Sequence, residues 1–274
     1  MLPLITKKEA ERILKSGEGS VEVSLDLGIS STSLQIKDGL VHVNEDKVPL
    51  KDFEKVKEDA CYAIEDDSLK KLAIFSEKTD LYYKLMPTKD WPTIKLSATP
   101  MHRYVKVSPK EDTLSKIREI KPVKGKILDT CCGLGYTAIV SSREADEVYT
   151  FEKDHNMLYM ASLNPYSQEL FTNKKIKIFQ EDISEAISRF ENNFFDRIIH
   201  DPPTFKREPT LYSKNFYQQL FRILKKGSIL YHYAPWPHKT RREVFYKSMI
   251  KNLKECGFRR AEYKPDSSGI RATK

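Results

Sequence analysis

The stretch 126–139, KILDTCCGLGYTAI, limits what this chain can become more than any other part of it. Ile127 and Leu128 read as a buried strand ending on Asp129. The backbone then turns through Gly133 and Gly135 and enters a small-residue helix at Thr137, Ala138 and Ile139. Glycine accepts positive φ and lets a ligand approach the main chain with no Cβ in the way. A strand, a glycine turn and a helix in that order aim unpaired helix-start N–H groups over the turn. In an open parallel sheet, that is where a nucleotide-like ligand sits. The spacing is D-x-x-x-G-x-G rather than the G-x-G-x-x-G of dinucleotide binders, because the acid precedes the glycines.

The remainder of the C-terminal half repeats the unit. Strands are expected at 127–129, 147–151, 176–179, 195–200 and 229–233, and helices at 136–142, 157–163, 183–190, 216–224 and 242–256, with Gly227 and Gly257 closing the last two. A terminal hairpin follows at 258–263 and 270–273. This alternation predicts an α/β fold, a doubly wound and mostly parallel sheet with helices on both faces and a C-terminal antiparallel hairpin.

The first hundred residues have a different texture. Thr6 and Glu9 form a capping-box pattern before a helix over 10–15, and Val21, Val23 and Leu25 alternate with polar residues. Leu34 and Ile36 join Val41 and Val43 through Asp38-Gly39, a type I′ hairpin signal. A short helix is expected at 52–56, with further strands at 62–64, 72–75, 81–85 and 93–96. The expectation is two domains: a small α+β domain over 1–100 that serves substrate recognition, and the α/β domain over 101–274. Tyr82, Tyr83 and Trp91 read either as base-stacking rings or as core and rim packing. At the seam, Ser108 and Glu111 form a second capping box, and the helix over 112–120 feeds the Gly-turn strand.

Composition excludes several classes. No apolar run approaches ~18 residues, so no membrane-spanning helix is expected. The four cysteines (Cys61, Cys131, Cys132, Cys256) contain no C-x-x-C pair, which argues for reduced thiols, a cytoplasmic location and no metal cage. The net charge of +8 is uneven: residues 203–274 carry 17 Lys+Arg against 5 Asp+Glu, while the preceding parts are slightly acidic. Such an excess reads as solvated helix surface or as a basic face for a polyanion.

Acids recur at the strand ends. Asp129 follows the first strand of the α/β half, Glu152 the second and Asp182 the third. A carboxylate after the second strand can accept both hydroxyls of a ribose, and one after the third can accept from an adenine amine. Asp182 also fits a helix N-cap. The fourth strand ends His200-Asp201-Pro202-Pro203-Thr204-Phe205. An exocyclic amine on a nucleobase is a poor nucleophile because its lone pair is delocalised into the ring. Two acceptors on its hydrogens, the Asp201 carboxylate and the Pro202 carbonyl, favour the pyramidal form that can attack. Consecutive prolines fix φ and remove competing N–H groups.

The segment around Asp129 resembles motif I of the class I S-adenosylmethionine (SAM) methyltransferases, and Asp201-Pro202-Pro203 resembles the [DNS]-P-P-[YFW] motif IV of those acting on nitrogen. Thr204 stands where that motif has an aromatic ring, so Phe205 becomes the candidate for stacking. From residue 97 onward the chain is similar to a family of archaeal SAM methyltransferases sometimes labelled spermine-synthase-like. The match runs through Met101-His102-Arg103, the Asp129–Tyr136 turn, Asn164-Pro165, Leu211-Tyr212-Ser213, Phe216-Tyr217 and Tyr231-His232-Tyr233. That family is in turn similar to ribosomal RNA cytidine N4-methyltransferases. The resemblance implies a SAM cofactor, held by Asp129, Cys131, Gly133, Gly135 and Tyr136, with Glu152 and Lys153, Asp182 and Ile183, and His200 after the later strands. It implies a ribosomal RNA partner.

Lys206 and Arg207 follow motif IV, and His232, Tyr233, Trp236, Arg241 and Arg242 follow the fifth strand, an aromatic–basic mixture suited to RNA. His102 and Arg103 are further substrate candidates. His200 and His232 read either as groups touching Asp201 or substrate, or as satisfied polar lining. Two other activities share the fold: protein N-methylation on a translation component, and aminopropyl transfer of the spermidine synthase type.

Overall fold

The computed structural model describes residues 2–234 and 240–274, without the side chains of 240–244. The chain divides into two compact units, Met1–Lys110 with Tyr159–Gln168, and Glu111–Leu158 with Glu169–Lys274.

The first unit is built on small antiparallel sheets. Its elements are β1 (Leu4–Ile5), α1 (Lys7–Ser16), β2 (Gly19–Val23), β3 (Thr32–Lys37), β4 (Leu40–Val43), β5 (Asp46–Pro49), β6 (Tyr62–Glu65), β7 (Ser68–Lys71), β8 (Ala73–Ser76), β9 (Leu81–Met86), β10 (Thr93–Leu96) and β11 (Thr99–Pro100). They pair as β2-β3-β4-β5, β1-β6-β7 and β11-β10-β9-β8. Asp38 and Gly39 both take positive φ (53° and 72°), as a type I′ turn requires, and set Lys37 opposite Leu40. Strand β7 was not expected from sequence. Asp66 and Asp67, at φ 52° and 56°, supply a turn of the same hand without glycine. The Thr6–Glu9 capping box does not form: Thr6 makes no side-chain cap bond, and Glu9 instead accepts from Ser24 N–H and Arg12. Ile5, Ile13, Val23, Ile36, Val41 and Phe53 fill this unit's core.

The second unit carries α2 (Pro109–Glu119), β12 (Lys126–Asp129), α3 (Tyr136–Ser142), β13 (Glu147–Phe151), α4 (His155–Ser162), α5 (Gln168–Thr172), β14 (Ile176–Phe179), α6 (Ile183–Ala186), β15 (Phe195–His200), α7 (Lys214–Ile223), β16 (Leu224–Tyr233), α8 (Thr240–Glu255), β17 (Arg259–Lys264) and β18 (Gly269–Thr273), with α2, α4 and α5 crossing the unit boundaries. The seven strands lie in the order β14-β13-β12-β15-β16-β18-β17. All run parallel except β18, which pairs antiparallel with both neighbours. Chain direction across the sheet reverses between β12 and β15, so their carboxyl ends, Asp129 and His200, open onto the crevice where such sheets bind ligands. Leu128, Phe151, Phe195, Ile198 and Leu230 form the buried layer beneath.

One expected helix stop is corrected. Helix α7 starts at Ser213, whose hydroxyl caps Phe216 N–H, and ends at Ile223, where the chain passes straight into β16. Gly227 lies inside β16 at φ 73°, beside a register shift in the pairing with β15. It marks a strand irregularity rather than a helix end.

Candidate active site at the strand ends

Three acids and the glycine turn gather at the carboxyl ends of β12, β13 and β14. Asp129 is fully buried; Thr150 donates to its Oδ2 at 2.8 Å, and its Oδ1 has no bonded donor. Burial pushes its carboxyl up to about 7. Gly133 and Gly135 take φ of 56° and 78°, and a Cβ on Gly135 would stand 2.7 Å from the Leu170 side chain. Gly133 N–H donates to Glu152 Oε2 and Asp154 N–H to Oε1, both at 3.0 Å. Desolvation pushes Glu152 up to about 7 against the pull of those two N–H groups. Tyr136, the first residue of α3, is buried.

Beside this turn a cleft is lined by Thr130, Cys131, Glu152, Lys153, Asp182, Ile183, Pro203, Glu208 and Leu211. Lys153 reaches across it, 2.5 Å from Glu208 and 3.4 Å from Asp182, tying the ends of β13 and β14 to the loop after β15. Asp182 caps α6 by accepting from Ser184 N–H at 2.8 Å. Burial would raise its carboxyl, but the Ser184 bonds and the Lys153 ammonium outweigh it and hold the group below its ordinary value.

Motif IV is gripped from both ends. Lys116, on α2, is buried with Nζ 2.6 Å from Asp201 Oδ2 and 2.8 Å from Asp112 Oδ2, and it lies 4.9 Å from the centre of the Tyr233 ring. Burial alone would lower this ammonium; the two carboxylates instead hold it well above its ordinary value, so it stays charged. At the other end the Tyr212 hydroxyl donates to the Pro203 carbonyl at 2.7 Å. Pro202 is buried and Pro203 exposed. Phe205 is 49% exposed, with its ring edge-on to Tyr212 and Phe245 at 5.6 and 5.7 Å.

Other expected site residues fall elsewhere. His200 and His232 are fully buried, and both nitrogens of each ring are engaged. The Leu211 carbonyl must accept, so His200 Nε2 carries the proton and Nδ1 accepts from Thr130 at 2.7 Å. By the same logic His232 donates from Nδ1 to the Tyr233 carbonyl and accepts at Nε2 from Tyr217 at 2.9 Å. Burial pushes His200 down to about 3 and His232 well below the ordinary range, so both are neutral. Of the two readings of these histidines, burial and saturated hydrogen bonding favour satisfied polar lining of the strand ends over contact with a ligand. Lys206 and Arg207 are exposed on the turn after Phe205. His102, bonded to Thr93 at 2.9 Å, and Arg103 belong to the first unit. Trp236 lies outside the described residues, as do the side chains of Arg241 and Arg242.

Sequence reasoning missed Asp112, Lys116 and Tyr212. The first two were marked by an Asp–Lys pair at i, i+4 on a helix face shared with buried Thr113 and Ile117. Part of the C-terminal basic excess serves the fold: Arg222 donates to the Phe190 and Ile187 carbonyls and Arg271 to that of Glu119, while Lys225 pairs with Asp196.

Strand order, reversal point and acids at consecutive strand ends are those of the class I, Rossmann-like methyltransferase fold, and residues 113–235 match the family model described as methyltransferase small domain. The fold is similar to that of spermidine synthase from Thermotoga maritima, at 16% identity and a TM-score of 0.56 over 73% of this chain and 70% of that one. A spermidine synthase in complex with the transition-state analogue AdoDATO gives 15% identity and a TM-score of 0.54, covering 73% of this chain and 71% of that one. The chain belongs to the same family as the uncharacterized protein MJ1233 of Methanocaldococcus jannaschii, with which it is 40% identical over 278 residues, 98% of this chain and 95% of that protein.

Proposed function

We propose that this protein methylates an exocyclic amino group of a nucleobase in structured RNA, with cytidine N4 of ribosomal RNA as the favoured target. The observation that carries the reading is the Asp201-Pro202-Pro203 turn, held by Lys116 and Tyr212 at the end of β15 and next to the acid-and-glycine strand ends. The residues present fit SAM. Asp129 Oδ1 is a buried acceptor with no donor, the glycine turn leaves the main chain approachable, and Glu152 is oriented by two N–H groups. When bound, SAM supplies an electrophilic methyl on a sulfonium. Asp201 then accepts an N–H of the incoming amine and pyramidalises its nitrogen, and Pro202 offers a carbonyl to the second hydrogen. Phe205 offers a half-exposed face for stacking, while Lys206 and Arg207 meet phosphates. The first unit helps to hold the RNA.

The fold likeness to spermidine synthases favours aminopropyl transfer as a second reading. A polyamine is cationic, however, and here the motif IV carboxylate already faces an ammonium, with Lys206 and Arg207 following. Mass spectrometry of RNA nucleosides from cells with and without the gene tests the proposal. The expected result is loss of one N-methylated base; an unchanged nucleoside profile together with a missing polyamine would transfer the assignment to the second reading.

A further inference from the structure

We propose that Lys116 is a positioning residue for methyl transfer, one that sets the Asp201 carboxylate in place for the amine and matches motif IV to an uncharged acceptor. The inference rests on the reading of Asp201 as the amine's acceptor. Three observations carry it. Lys116 comes from α2, outside both motifs, yet its ammonium ends 2.6 Å from Asp201 Oδ2. Its side chain is 4% exposed, so the charge was taken out of water to make this contact, which only a matched partner offsets. Asp112, itself 1% exposed and one helical turn earlier, holds the ammonium from behind at 2.8 Å. An ammonium clasped between two carboxylates has little freedom to swing away, so Asp201 is held in one orientation before substrate arrives, and that placement need not be made at the moment of reaction.

The same arrangement selects by charge. A neutral exocyclic amine can donate to Asp201 while the Lys116 pair stays intact. A protonated alkyl amine brings a second cation against the first. The groups facing Lys116 are Asp112 from its own helix, Asp201 from the end of β15, and the rings of Tyr231 and Tyr233 from β16.

The test compares wild type with Lys116→Met, Lys116→Arg and the double variant Asp112→Asn/Lys116→Met. The double variant removes both charges of the buried α2 pair, so it stays folded if loss of Lys116 alone leaves Asp112 stranded. Tritiated SAM and RNA from cells lacking the gene give kcat and KM, and calorimetry gives SAM affinity. The expected result is a fall in kcat of about 100-fold in both methionine variants, the scale of a misplacement near 1 Å. KM and SAM affinity should stay within about twofold, the loss should be largely restored by arginine, and kcat should remain low in the double variant even where its melting temperature recovers. A folded double variant that binds SAM and turns over like wild type overturns the proposal. If wild type itself transfers no methyl to RNA, the RNA reading fails instead. A crystal structure of the double variant then decides Lys116 without substrate: a displaced Asp201 carboxylate supports the role, an unmoved one overturns it.

Discussion

In the proposed mechanism Asp201, Glu152 and Asp129 carry different parts of the chemistry, and substitutions should separate them. Asp201→Ala is expected to abolish methyl transfer while SAM still binds, because it removes the amine's acceptor and leaves the acids after β12 to β14 in place, with Lys116 keeping Asp112; near-normal turnover would take Asp201 out of the mechanism. Glu152→Ala removes the acceptor that Gly133 and Asp154 orient, and should weaken SAM binding by ~1–3 kcal/mol, read by calorimetry. Protonation gives an independent check. Asp129 and Glu152 hold their protons up to about 7 in the fold, against ordinary values of 3.8 and 4.5. Between those limits the folded chain binds more protons than the unfolded one, so these two groups make the unliganded protein less stable as pH rises through the window. A cationic ligand favours the ionised forms. SAM binding should therefore release protons and tighten as pH rises through about 7, seen as a buffer-dependent binding heat. Proton uptake on binding would place the ligand's charge elsewhere.

At the level of elements, the turn between β12 and α3 is tightly constrained. Gly135 combines a left-handed φ of 78° with the Leu170 side chain 2.7 Å from where a Cβ would lie. Gly135→Ala is expected to cost about 1–3 kcal/mol in stability, through strain and overpacking against α5, and to reduce SAM affinity with it. Thermal melting with and without SAM checks both. The contact of α2 with the end of β15 carries a second expectation. Lys116→Met takes the ammonium away from buried Asp112 and should destabilise by about 3–5 kcal/mol, most of it recovered when Asp112 becomes Asn. A single variant as stable as wild type would mean that the pair is solvated in solution.

For the whole molecule, the question is how charge and partner are matched. Lys206 and Arg207 are exposed on the turn after motif IV, but Arg222, Lys225 and Arg271 are committed to carbonyls and an acid within the second unit. Basic composition therefore overstates the number of cations available to RNA. If the remaining ones neutralise phosphates, RNA affinity should fall steeply with salt, by roughly 0.7 log units per contact for each tenfold rise when the target is single-stranded. Filter binding across a salt series measures that slope, and a flat response would favour a protein or small-molecule substrate.

By itself, the sequence determined the elements whose cause is local. Short, nearly continuous apolar runs made strands of β12 through β16, Asp38-Gly39 made its turn, and the positions of Asp129, Glu152, Asp182 and Asp201 after strands followed from counting along the chain. Side-chain bonds between distant residues were decided in three dimensions. Glu9 abandoned its capping box for Ser24, and His200 and His232 filled their hydrogen bonds from Thr130, Leu211 and Tyr217 instead of facing a ligand. Lys116 reached an aspartate 85 positions away. The physical reason is common to these cases. Backbone preferences and apolar periodicity act over a few residues and are written locally, whereas a buried polar group takes whichever partner the packed elements bring within hydrogen-bond distance, and that exists only once the sheet is assembled.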